Sequence, residues 1–82
     1  MPDHKPILIH REPGDAFIEI EQGFLYAAIR CSEIISVETV CDPEQEFHGL
    51  DIAIGSDDAC SLETNTADEA RFAAKAILTA LK

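Results

Sequence analysis

The chain has 82 residues, enough for one domain, and its sixteen acidic against six basic side chains give a net charge of −10. Such a field repels the phosphates of nucleic acid and anionic membranes, and it suits a basic partner or simply confers solubility. Hydrophobic residues make up 46% of the chain, which argues against disorder, and no apolar run reaches the roughly 20 residues of a membrane span.

A chain this short buries only about 60–65% of its unfolded surface, so a thin core is expected. The start, MPDHKPILIH, lacks the long apolar segment of a secretory signal. The expected location is therefore intracellular, in the cytoplasm. Cys31, Cys41 and Cys60 cannot all pair within one chain, and none forms a C-x-x-C. Reduced, buried thiols are the expectation.

Residues 1–5 read as loose. A first strand, about 6–11, is carried by Ile7, Leu8 and Ile9. Glu12-Pro13-Gly14-Asp15 follows, a type II turn signal, because Pro presets φ and Gly accepts a positive φ. The second strand, about 16–21, alternates: Ala16, Ile18 and Ile20 face one way, Phe17, Glu19 and Glu21 the other. Gln22-Gly23 reads as the two-residue connection of a hairpin. In the third strand, about 24–30, Leu25, Ala27 and Ile29 share one face, and Phe24, Tyr26, Ala28 and Arg30 the other. Both faces carry apolar residues, so this strand is expected to sit centrally or to have its second face covered.

Cys31-Ser32-Glu33 makes a turn or a bend. A fourth strand, about 34–40, points Ile35, Val37 and Cys41 inward and Ser36 and Glu38 outward. Asp42 to Gly49 reads as an acidic loop, since Pro43 cannot join a ladder. Leu50, Ile52 and Ile54 alternate with Asp51 and Ala53 in a fifth strand, about 50–55. Gly55 to Asp58 turns into a sixth, about 59–64, with Cys60 and Leu62 on one side.

The spacing predicts a helix over about 67–81. Phe72, Ala73, Ala76, Ile77, Ala80 and Leu81 recur at three and four, while Ala74 and Leu78 fall off that stripe and could face a partner. Thr66 is a good N-cap, and Glu69 can bond back to the Thr66 amide in a capping box. Asp68 and Glu69 oppose the positive end of the helix dipole. The many alanines favour helix and imply close approach to the strands beneath.

The fold class is α+β: a mostly antiparallel, coiled sheet of five to six short strands, with one C-terminal helix packed on it. Six strands at about 4.8 Å make a sheet about 24 Å wide, whereas a helix is about 10 Å across. The helix covers less than half of one face. The sheet must therefore coil toward a barrel, or two chains must pack together. Phe17, Phe24 and Tyr26 sharpen this, because three aromatics on one solvated face form an apolar patch. They are the candidate contact surface, for a second copy or for another protein.

IISVE, LDIAI, the turn at GSDDA, CSLET and the helix TADEARFAAKAILTAL follow one another over residues 34–81. This order resembles the C-terminal part of pleckstrin-homology-like domains. The resemblance implies strands closed by a C-terminal helix. The chain departs from that family in being short by at least one strand, in lacking a helical Trp and in lacking a basic phosphoinositide loop, so lipid binding is not carried over. Four antiparallel strands plus a helix also resemble single-stranded-DNA-binding coactivator domains. Those use basic, aromatic sheet faces, whereas here only Arg30 accompanies Phe24 and Tyr26, with Glu19 and Glu21 nearby.

Chemical signatures are missing, so no enzyme activity, cofactor or metal is expected. Cys41 and His48 flank the acidic loop, but a closed zinc site needs four ligands. Asp42, Glu44, Glu46, Asp57 and Asp58 do not follow a calcium-loop pattern. Arg30 precedes Cys31, but adjacent strand residues point apart, and Ser56 and Ser61 have no recognisable base. The expected function is a non-enzymatic protein-interaction module, self-associating in one version, with neither nucleic acid nor membrane as partner. One alternative is an acidic decoy of a nucleic-acid-binding protein, which requires carboxylates gathered on one surface. Another is a ligand-binding domain or small enzyme with a pocket between sheet and helix.

Overall fold

The computed structural model describes residues 4–82. In it the chain forms β1 (Leu8–His10), β2 (Phe17–Gln22), β3 (Leu25–Arg30), a 3-10 turn at Cys31–Glu33, β4 (Ile34–Asp42), β5 (Phe47–Ile54), β6 (Asp58–Thr64) and α1 (Ala67–Ala80). The strands do not make one coiled sheet. They form two three-stranded antiparallel sheets, β1-β2-β3 and β4-β5-β6, with no closed barrel among the described residues.

This division answers the size problem, because the two sheets cover each other. Ile18, Ile20 and Ile29 from the first sheet meet Leu50, Ile52 and Leu62 from the second, and Ala73 and Ile77 of α1 join them in one core. The helix packs on β4, β5 and β6 and also reaches β1. The outer faces of both sheets are left to solvent.

Local chemistry sets the turns. Asp15 N donates to Glu12 O at 3.0 Å and Gly14 has φ +88°, the signature of a type II turn. The β2–β3 loop is Gly23-Phe24 rather than Gln22-Gly23, since Gln22 pairs with Leu25. Only the first loop residue, Gly23, has positive φ, as in a type II′ hairpin turn. Phe24 is therefore a loop residue, not the first residue of a strand. The acidic loop also shrinks: Phe47, His48 and Gly49 extend β5, leaving Pro43 to Glu46 as the connection.

Four burial expectations are corrected. Ile35 points outward, 66% exposed, because a bulge between Ile34 and Ser36 shifts the register and gives Ile34 the inward place. Cys41 is exposed rather than inward. On the helix the buried residues are Ala70, Ala73, Ala74 and Ile77, while Phe72 is 78% exposed. Five residues at about 100° each put Phe72 about 140° around the helix from Ile77. Ala74, expected to face a partner, is core; Leu78 is exposed.

Long-range hydrogen bonds close the ends. Thr66 Oγ1 accepts from Glu69 N, and the Glu69 carboxylate accepts from Asn65 N at 3.1 Å, one residue before the expected Thr66 amide. Residues 1–3 lie outside the described residues, but His4 is anchored: its N–H donates to Asn65 Oδ1, its carbonyl accepts from Asn65 Nδ2, and its ring stands 3.0 Å from Glu63. Arg11 donates to the carbonyls of Asp15 and Ala80, tying β1 to the end of α1.

Candidate interaction surface

Antiparallel register places the outward residues of the first sheet in rows. Leu8, Glu21 and Tyr26 form one row, His10, Glu19 and Ala28 the next, and Phe17 with Arg30 the third. Phe17 and Tyr26 thus share a face, at opposite ends of it. They do not touch, because the middle row separates them. The Arg30 guanidinium lies over the Phe17 ring, 4.9 Å from its centre, a cation–π contact. Tyr26 Oη donates to Glu19 Oε1 at 2.6 Å. That bond, then desolvation, then the negative charges of Glu19 and Glu21 hold the Tyr26 phenol above its ordinary pKa. Phe24 stands at the hairpin tip, fully exposed. The expected patch is therefore a line of separate aromatics, not one cluster.

The topology adds a feature that alternation could not show. β3 is an edge strand, not a central one, and its outer face is open. Edge strands present unpaired N–H and C=O groups, which proteins blunt with charges, prolines, bulges or cover. β4 carries a bulge. The N-terminal segment meets the end of β6, where Gln22 Nε2 donates to the carbonyls of both Lys5 and Glu63. β3 runs Leu-Tyr-Ala-Ala-Ile-Arg, with one terminal charge and no proline. Tyr26 lies on this strand and Phe24 at its entry.

Charge is segregated. Residues 31–70 contain eleven acidic side chains and no Lys or Arg, so the rest of the chain holds five acids against six bases. These forty residues include the whole second sheet. On its outer face Glu38 pairs directly with Asp51, and Ser61 Oγ donates to Asp51 at 2.7 Å. The signal was present in the sequence as a run without a single Lys or Arg. The five acids in or beside the two loops do not gather, since Asp42, Glu44 and Glu46 lie at one end of β5 and Asp57 and Asp58 at the other.

A groove of about 530 Å³ opens beside the helix, between it, β1 and the end of β6, lined by Ile7, Leu8, Thr64, Phe72 and Ala73 among others. It lies at the helix flank rather than beneath the alanine face. The Thr64 hydroxyl already donates to Thr66 O, and Glu69 serves the cap. Cys41 Sγ and His48 Nδ1 stand 3.3 Å apart, and among the described residues no three His, Cys, Asp or Glu side chains converge. No helix among them is long and apolar enough to cross a membrane. Comparison with protein-family models, curated proteins and solved structures finds no match, so the pleckstrin-homology-like resemblance rests on element order alone.

Proposed function

We propose that this chain is a non-enzymatic protein-interaction module that takes up an extended segment of a basic partner protein along the free edge of β3. The observation that carries the reading is an unblunted edge strand bearing exposed Tyr26, with Phe24 at its entry. Strand addition uses main-chain hydrogen bonds for affinity and alternate side chains for specificity. Tyr26 supplies a rigid, amphipathic anchor. The charge of the chain, with Glu19 and Glu21 beside Tyr26, favours Lys and Arg in the incoming strand. The same field disfavours nucleic acid and anionic membrane as partners, and a reducing cytoplasm suits three free thiols.

The test is amide chemical-shift mapping with a synthetic peptide alternating Val and Lys. Shifts concentrated on residues 25–30, lost in Tyr26→Ser and in a variant with Pro at Ala28, support the reading. Sedimentation of the chain alone separates the other occupant: a dimer broken by the same substitutions makes β3 a contact with a second copy.

A second reading, the acidic decoy, is favoured by the segregation of acid onto residues 31–70. There the carboxylates of the second sheet would stand in for phosphates toward a nucleic-acid-binding protein. Shifts confined to the outer face around Glu38 and Asp51, abolished by their change to Gln and Asn and indifferent to Tyr26→Ser, decide for it.

A further inference from the structure

The three cysteines occupy different environments. Cys60 is half-buried opposite Ile52, and burial pushes its thiol pKa up. Cys31 packs against the core, its Sγ 3.9 Å from the Asp15 carbonyl. Cys41 is the exposed one. Antiparallel register sets it opposite His48, with Sγ 3.3 Å from Nδ1. Near it Asp42, Glu44 and Glu46 stand in or beside the connecting loop, within a stretch that has no Lys or Arg. A small cation is drawn to this end of the sheet and an anion repelled.

We propose that Cys41 is a thiol–disulfide exchange site for small cationic disulfides, with His48 as its base. With the imidazole proton on Nε2, Nδ1 accepts the proton of the Cys41 thiol. The thiolate attacks one sulfur of the disulfide. A Cys41–sulfur bond forms as the original S–S bond breaks, and the leaving thiolate takes the proton back from the imidazolium. One thiol and one disulfide give one mixed disulfide and one thiol, so no further oxidant enters.

The experiment treats the folded, full chain with cystamine, or with dianionic dithiodipropionate, and follows each cysteine by peptide mass spectrometry. Cystamine is expected to modify Cys41 about tenfold faster than Cys31 or Cys60, and about tenfold faster than the dianion does at low salt. The charge preference shrinks in about 1 M salt. His48→Gln slows reaction at Cys41 by about tenfold and leaves Cys60 unchanged. Equal rates at the three cysteines of the unaltered chain overturn the proposal without any variant. So does a folded His48→Gln chain, checked by circular dichroism, whose Cys41 reacts as before, or a dianion that reacts as fast as cystamine.

Discussion

Gly49 lies so close under Leu62 of the neighbouring strand that a side-chain carbon at position 49 would collide with the Leu62 carbonyl oxygen. The obstacle is backbone, which cannot swing aside as a side chain can. Phe47, two residues along the same face, also stands against that position, so an aromatic ring covers the glycine. Gly49→Ala is expected to destabilise the chain by about 3 kcal/mol or more, at the upper end of overpacking costs. Gly14→Ala, where space is open but φ is +88°, should cost about 1–2 kcal/mol. Urea denaturation of the two variants checks the order.

The buried helix face gives a second contrast. Ile77 is fully buried and Phe72 is not. Ile77→Ala should cost about 2–5 kcal/mol, and Phe72→Ser within about 0.5 kcal/mol of nothing. Ile35→Thr, at the outward bulge, belongs with Phe72. A large loss at Phe72 would restore the helix face that the spacing first suggested.

Helix capping is separable from packing. Thr66 holds the Glu69 amide through its side chain and is itself exposed, so Thr66→Ala should lose about 1 kcal/mol. Thr66→Ser and Thr66→Asp should keep most of it. Thermal unfolding of the three variants reads the difference.

The chain's one tyrosine permits a direct titration. The Tyr26 phenol is held above 10.0, first by its bond to the Glu19 carboxylate. Glu19→Gln removes the charge, and phenolate absorbance should then appear at lower pH. Unchanged titration would mean that the bond does not persist in solution.

Alkaline stability follows from Cys60. Its thiol pKa lies above the ordinary 9.0 in the folded chain because of burial. The folded state keeps the proton while the unfolded state releases it, so stability falls as pH rises through that window. The contribution is complete below about pH 9 and lost above the folded value. Tyr26 acts in the same direction at higher pH. In a Tyr26→Phe background, the decline in urea midpoint above about pH 9 should flatten when Cys60 becomes Ala.

Much of the architecture was legible because alternation is strict where burial is one-sided. Ile18 and Ile20, or Leu50 and Ile52, could face only one way. The helix was legible in type but not in rotation. Alanine is small enough to sit on either side, so Phe72 drew the apparent stripe toward itself. Ile35 misled for another reason: a bulge adds one residue to a strand, and period-two counting cannot see it. The division into two sheets, and with it the exposure of β3, depends on which strands meet across the core, which adjacency along the chain does not encode. On the surface, Phe17 and Tyr26 were placed on the correct face, but their partners Arg30 and Glu19 came only from register. The Cys41–His48 approach is legible as far as both residues flank one loop, and its geometry follows only once that loop is a hairpin.

The bond from Arg11 to the Ala80 carbonyl joins residues 69 apart, and the His4–Asn65 pair joins residues 61 apart. On a ribosome, β1 can pair with β2 early, but its ties to the helix and to the end of β6 wait until positions 65 and 80 have emerged from the exit tunnel. The outer attachments of β1 are thus among the last to form, and packing of these elements is completed after translation of the helix rather than during it. Until then the apolar face of β1 and β2 depends on chance collisions, or on a chaperone, for cover.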